Sequence, residues 1–357
     1  MFDLKQYGYI ETEVAPNGLL PGRVTDYRGT QYTVVTERGE AAAELKGSFY
    51  YGAETREDFP CVGDFVFMQY NNNGPSLIAG LIPRRSKFSR ADYSGHAAGY
   101  AKIVLEQVIA ANFDFVFIIT SLNKDFKVSR IIRYLTQARQ SGGQPVVILT
   151  KADLVENCAA LVSEVQRAAP GVPVHAISSH TGFGLAALNE YLQPENTVVF
   201  LGMSGVGKSS LLNALMEQNV MTVKAIREDD SRGRHTTTHR QLFMLPSGAM
   251  VIDTPGMREL GLYGADEGIS ASFSDVEGLF TRCRFSDCRH QTEPGCAVLA
   301  ALDDGTLTRE QWERYNAQKR ESRFVDDKMG YLSDKRAWHK DISQFSKQMK
   351  KNGGIKR

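Results

Sequence analysis

One run constrains this chain more than any other: Gly202-Met203-Ser204-Gly205-Val206-Gly207-Lys208-Ser209, which fits G-x-x-x-x-G-K-[ST]. It sits between an apolar run, Thr197-Val198-Val199-Phe200-Leu201, and a helix-forming stretch, Ser210-Leu211-Leu212-Asn213-Ala214-Leu215. A glycine-rich turn joining a buried strand to a helix lets successive backbone N–H groups converge at the helix N-terminus, where the helix dipole favours an anion. Lys208 would reach the β- and γ-phosphates of a nucleotide, and the Ser209 hydroxyl would ligate Mg²⁺. The phosphate contacts are therefore expected from Gly202 through Ser210, and the strand–turn–helix order requires an α/β sheet.

Other segments supply the rest of such a sheet. Phe115-Val116-Phe117-Ile118-Ile119, Pro145-Val146-Val147-Ile148-Leu149 and Val174-His175-Ala176-Ile177 are apolar runs of strand length, and residues 129–138 carry a helical pattern. Near-continuous apolar strands separated by helices predict a mostly parallel sheet covered on both faces. Met250-Val251-Ile252-Asp253 is a further apolar strand, ending in an acid and followed by Thr254-Pro255-Gly256. Asp253 suits the acid that holds Mg²⁺ through water, and the Gly256 N–H can sense a γ-phosphate.

Base choice is addressed by Thr150-Lys151-Ala152-Asp153 at the end of the Pro145–Leu149 run. A carboxylate can accept two hydrogen bonds from guanine, through N1–H and the 2-amino group, whereas adenine offers neither. The aliphatic stem of Lys151 can lie along the base. The segment resembles the N-K-x-D element of GTPases, with Asp153 retained and Thr150 in place of Asn, which leaves the bracing contacts of that Asn to be supplied otherwise. Ser178-Ser179, after the next strand, stands where GTPases place a loop whose backbone N–H groups touch guanine O6. The order is unusual. The base elements precede the phosphate loop, and Asp253 follows it, which is a circular permutation of the common GTPase arrangement; a parallel sheet tolerates this because old termini can be joined and a new break opened at the surface. Between the phosphate loop and Asp253 lies Ser231-Arg232-Gly233-Arg234-His235-Thr236-Thr237-Thr238-His239. A threonine here can add a Mg²⁺ ligand and order the loop; Thr237 is favoured among the three. Met257 follows Gly256, where many GTPases carry the Gln that orients the attacking water. Either hydrolysis is slow and needs help, or another polar residue serves. His235 is the candidate catalytic group beside Lys208 and Thr237, and anchoring or partner contact is its alternative role.

Cysteine placement points to metal. Three of the five cysteines fall in Cys283-x4-Cys288-x-His290-x5-Cys296, three thiolates and an imidazole, the ligand set of a closed structural zinc site. Cys61 and Cys158 are left over. Lys+Arg and Asp+Glu nearly balance, 42 against 41, so composition does not announce a nucleic-acid partner. Distribution differs: residues 84–90 hold Arg84, Arg85, Lys87 and Arg90, and the stretch from Lys335 to Arg357 holds eight Lys/Arg and one acid, Asp341. Such runs can bind phosphate backbone without sequence preference. Upstream, residues 20–82 contain several short strand-like runs, including Gly22–Gly29, Gln31–Thr36, Phe65–Met68 and Leu77–Ile82. These fit a small five-stranded barrel of OB type that could cradle single-stranded RNA, a different small β module being the alternative. No secretory leader or membrane span is expected from MFDLKQYGYIETEV or from any apolar run, so a cytoplasmic protein is.

These motifs together resemble the circularly permuted GTPases of bacterial small-ribosomal-subunit biogenesis. The resemblance rests on Gly202–Ser210, Gly233–Thr238, Asp253–Gly256, Arg84-Arg85 and the cysteine–histidine spacing. It implies a multidomain α/β chain: an OB-type barrel over 1–83, a basic linker over 84–99, a permuted GTPase over 100–265, a mostly helical zinc domain over 266–345 and a basic tail over 346–357. It also implies a monomer that binds the small ribosomal subunit and its rRNA late in assembly, hydrolyses GTP when stimulated by the subunit, and leaves, with other assembly factors as further partners. A low-turnover GTP-binding scaffold on RNA is the alternative, motivated by Met257.

Overall fold

The computed structural model describes residues 3–11, 14–16, 18–53, 56–92, 105–123, 126–218, 220–221, 240–253 and 265–326. The expected switch residues 231–239, including His235 and Thr237, the Thr254–Gly256 turn with Met257, and the basic tail lie outside them.

The N-terminal part is a closed five-stranded barrel. Its strands are β1 (Leu20–Arg28), β2 (Gln31–Thr36), β3 (Gly39–Leu45), β4 (Phe65–Gln69) and β5 (Ser76–Leu81), with a short helix α1 (Gly47–Gly52) after β3. They run in the order β1-β2-β3-β5-β4, and β4 closes on β1. Val24, Val34, Ala43, Val66, Met68 and Ile78 fill the interior. Strand β3 is not apparent from sequence, because Gly39-Glu40-Ala41-Ala42-Ala43-Glu44-Leu45 is alanine-rich. It is extended because β2 and β5 flank it with complete ladders, and pairing context outweighs a weak intrinsic preference.

Part of the basic run after the barrel is folded in, while Arg85 stays exposed. Arg84 is nearly enclosed and forms a bidentate pair with the buried Asp64, at 2.7 and 2.8 Å, while also donating to the carbonyls of Glu57 and Phe59. Breaking such a buried pair from one side costs about 3–5 kcal/mol. Ser86 Oγ accepts from the Phe113 N–H and donates to its carbonyl. Lys87 then begins β6 (Lys87–Asp92), which pairs antiparallel with β7 (Leu105–Ala111). Arg84 is thus spent within the fold and is not free to meet an RNA backbone. Residues 93–99 lie outside the described set.

The central sheet contains β8 (Phe115–Ser121), α2 (Val128–Gln140), β9 (Gln144–Thr150), α3 (Cys158–Ala168), β10 (Val174–Ala176), β11 (Thr197–Leu201), α4 (Lys208–Met216), β12 (Arg240–Met244) and β13 (Met250–Asp253). Strands β10-β9-β8-β11-β13 are parallel, and β12 lies antiparallel to β13. Alternate residues divide between two cores: Val116, Ile118, Val147, Leu149 and Val199 face α2 and α3, while Phe117, Ile119, Ile148, Val198 and Phe200 face α4. Two buried faces explain the unbroken apolar runs. Strand β12 also pairs with β1, Asp26 opposite Gln241 and Tyr27 opposite Arg240, so barrel and central sheet form one continuous eleven-stranded sheet.

The remaining helices are α5 (Asp266–Ser272), α6 (Ser274–Glu277), α7 (Ala297–Asp303) and α8 (Arg309–Asp326). Helix α8 clasps α2 and α5. Thr136 Oγ1 donates to Gln318 Oε1 at 2.7 Å, Lys319 pairs with Asp266 at 3.0 Å, and Tyr315 donates to Glu277. One core runs from the sheet through α2 to Val298, Ala301 and Tyr315. No described helix is long and apolar enough to cross a membrane.

Candidate nucleotide site and metal centre

Because β9, β10, β11 and β13 are parallel, their carboxyl ends share one edge of the sheet, the place where open α/β sheets bind ligands. That edge brings together Thr150, Ser178, Gly202 and Asp253, residues spread over a hundred positions of sequence.

The phosphate loop is built as its glycines require. A Cβ at Gly202 would stand 2.3 Å from the Ile119 carbonyl oxygen, so no side chain fits where the chain leaves β11. Gly207 has φ +100°, a left-handed conformation natural to glycine, and forms the N-cap of α4. The Lys208 ammonium donates to the Gly202 and Met203 carbonyls, both at 2.7 Å, which holds it across the loop. Ser209 and Ser210 lie in the first turn of α4, partly accessible, while Ser204 and Gly205 form the rim and Val206 is buried.

Thr150 supplies a brace. Its buried hydroxyl donates to the Val206 carbonyl at 2.5 Å, tying the end of β9 to the middle of the phosphate loop. Lys151 takes a left-handed φ of +62° and donates from Nζ to the Gly205 carbonyl at 3.0 Å. The base element thus grips the phosphate loop twice, and Asp153 projects its carboxylate into solvent beside it. The Ala152 N–H donates to the Ile177 carbonyl at 3.0 Å, which sets the 178–184 loop next to Asp153. That loop is closed on itself. The buried Ser178 donates its N–H to the Phe183 carbonyl, and its hydroxyl accepts from the His180 and Thr181 N–H groups. The Ser178 N–H is thus committed within the loop. Asp253 is buried at the end of β13, one strand from the phosphate loop.

Beyond α5 the described chain shares the core of the sheet through Val298, Ala301 and Tyr315, and a donor cluster gathers there. Cys283, Cys288, His290 and Cys296 bring their ligand atoms within 4.8 Å of one another. His290 Nδ1 faces Cys296 Sγ at 3.5 Å and Cys283 Sγ at 3.6 Å. Desolvation and the neighbouring Cys296 and Cys283 sulfurs push the Cys288 thiol up to about 11, and a bound cation would hold it as a thiolate. The donor set fits a metal ion.

Two features shape the cluster and carry no sequence signal of their own. Glu293 accepts the N–H groups of Gln291, Arg289 and Thr292 at 2.8–3.0 Å, which folds the loop and holds its carboxyl down at about 2. The His290 ring stacks on Phe280 at 4.4 Å and meets Trp312 edge-on, fixing the imidazole plane. Cys296 also caps α7, accepting the Leu299 N–H on sulfur.

Similarity to known proteins agrees with this geometry. A family model described as RsgA GTPase matches residues 81–263. A protein of Listeria monocytogenes serotype 4b named small ribosomal subunit biogenesis GTPase RsgA 2 is 44% identical over 326 residues, 90% of each chain. A Lactiplantibacillus plantarum protein of the same name is 42% identical over 308 residues, 86% of this chain and 85% of its own. Among solved structures, YjeQ from Thermotoga maritima superposes with a TM-score of 0.62 at 26% identity, covering 84% of this chain and 96% of that one. YloQ, described as a circularly permuted GTPase, gives 0.57 at 23% identity, covering 84% and 94%, and shares the fold.

Proposed function

The chain belongs to the RsgA GTPase family, and from that premise we propose that it hydrolyses GTP in the biogenesis of the small ribosomal subunit, as its relatives are named for doing. The observation that carries the reading is the double grip of Thr150 and Lys151 on the phosphate loop, since it joins the base-reading and phosphate-binding elements of a permuted GTPase into one site.

In this reading guanine lies along the Lys151 stem, with Asp153 accepting from N1–H and the 2-amino group and the Ser179 N–H donating to O6. The N–H groups of Gly202–Ser210 wrap the phosphates, and Lys208 exchanges its two loop carbonyls for phosphate oxygens. Ser209, Asp253 and Thr237 are the residues that would hold Mg²⁺, which when bound would supply positive charge against the transferred phosphoryl group. His235 orients the attacking water where Met257 cannot. A structural zinc ion suits the Cys₃His donors, whose four protein ligands leave no open position.

The subunit partner, binding late in assembly and release after hydrolysis, follows the family. The chain works as a cytoplasmic monomer over a barrel (1–83), a connecting segment (84–99), a GTPase (100–265), a zinc region (266–345) and a tail (346–357), and the segments that sense the γ-phosphate run directly into α5 and the metal region. Co-sedimentation with small subunits tests the switch: a non-hydrolysable GTP analogue should hold the protein on the subunit and GDP should release it. Equal binding in both states would instead favour a scaffold with little turnover.

A further inference from the structure

Among the described residues Arg23 is the largest wholly buried side chain, with no accessible surface, and no step described above uses it. It sits on β1 of the barrel. Its Nη2 donates to the Asn112 carbonyl at 2.8 Å, just past β7, and its Nε donates to the Gly63 carbonyl at 3.3 Å, before β4. Its Nη1 reaches the Tyr7 carbonyl and the Met250 sulfur, the latter at 3.2 Å. The guanidinium also lies over the Phe65 ring, 4.9 Å from its centre. Four chain segments besides its own strand meet on one cation, and among the described residues no carboxylate pairs with it directly.

A buried cation held by carbonyls is an expensive way to fill a core, since apolar residues of similar volume often serve as well or better. What it adds is geometry: five donors in a rigid fork admit one arrangement of the segments around them. Here the arrangement joins barrel to GTPase. Met250 opens β13, the strand that ends in Asp253, and β13 pairs with β12, which itself pairs with β1. The two strands between the expected switch segments are therefore fixed to the barrel at two points, the β1–β12 ladder and Arg23.

We propose that Arg23 is a positioning residue for hydrolysis: it makes the barrel and the β12–β13 pair one rigid lever, so that subunit contact on the barrel is felt at Asp253. The inference rests on the GTPase reading above, with hydrolysis stimulated by the subunit and the barrel meeting its RNA, as the family resemblance implies. Released from Arg23, the barrel would still bind the subunit and the GTPase would still turn over slowly, but the two would no longer communicate.

The test compares the native full-length chain with Arg23→Lys, Arg23→Met and Met250→Leu, measuring GTP hydrolysis with and without small subunits, subunit affinity, and calorimetric unfolding. The expectation is that Arg23→Met loses about tenfold of the stimulation, with intrinsic turnover and subunit affinity within about twofold of native. Its single unfolding transition should split, the barrel melting first. Met250→Leu, which keeps volume and removes only the sulfur acceptor, should lose part of the stimulation with unfolding unchanged, so the proposal stays testable if Arg23→Met does not fold. Full stimulation in Met250→Leu and Arg23→Lys alike, or equal loss of intrinsic and stimulated rates, would overturn the role of Arg23. Absence of stimulation in the native chain would instead overturn the functional reading on which it rests.

Discussion

Replacing Thr150 by valine tests the latch between the base element and the phosphate loop. Valine keeps the branched shape and removes the hydroxyl that donates to the Val206 carbonyl at 2.5 Å. Thr150 is almost wholly buried and Gly207 packs against it, with a Cβ at Gly207 lying 3.5 Å from Thr150 Oγ1. Water therefore has little room to replace the donor. A buried acceptor deprived of its partner costs about 1–3 kcal/mol. The bond exists before nucleotide arrives, so its loss weakens binding only to the extent that the free loop unlatches and must be refolded by the ligand. Taking about 1–2 kcal/mol of unlatching, at about 1.4 kcal/mol per tenfold, GDP and GTP should both bind about five- to thirtyfold more weakly. The association rate should carry most of the loss, and guanine should still be preferred because Asp153 is untouched. Stopped-flow binding of a fluorescent guanine nucleotide reads both rates, with Thr150→Ser, which keeps the hydroxyl, as the control. A valine variant that melts lower yet binds nucleotide as the native chain does would refute the latch and leave Thr150 as ordinary packing.

Other perturbations address other parts. Gly202→Ala places a methyl 2.3 Å from the Ile119 carbonyl and should abolish nucleotide binding while the barrel and metal region remain folded, as seen by equilibrium dialysis and circular dichroism. Asp153→Asn should move preference from guanine towards xanthine nucleotides in a competition assay; unchanged guanine preference would count against the base assignment. Elemental analysis should find one zinc per chain, and Cys296→Ser or a strong chelator should remove it and lower the melting temperature of the α7–α8 region. Because thiol ligands must shed protons to bind, retention of that zinc should fall as pH falls, and a pH-independent metal content would contradict the ligand set.

Sequence reveals the site where its chemistry is local. Thr197–Leu201, Gly202–Ser209 and the cysteine–histidine spacing each fit within a short window; the first two form the strand, turn and helix start of the central sheet, and the third gathers in the loops before α7. What sequence hides is pairing between distant segments. The β1–β12 ladder joins Tyr27 to Arg240, and nothing near either residue announces the other. Arg84 reads as part of a basic linker because its partner, Asp64, lies twenty residues away on the other side of β4 and β5. Arg23 leaves no such trace: it stands between Gly22 and Val24 in a strand that also carries Asp26 and Arg28, and only the structure shows it wholly buried. The substitution of Thr150 for the usual Asn is visible in sequence, but its effect is not, because the acceptor on Val206 is supplied by a loop fifty-six residues further on.

The most direct test of the account is phosphate release from GTP by the native chain, measured alone and with purified small ribosomal subunits under the same conditions. Slow intrinsic release, raised by an order of magnitude or more by small subunits and not by large ones, with ATP inert, is the expected result. Release that small subunits leave unchanged, or that ATP supports as well as GTP, would contradict it.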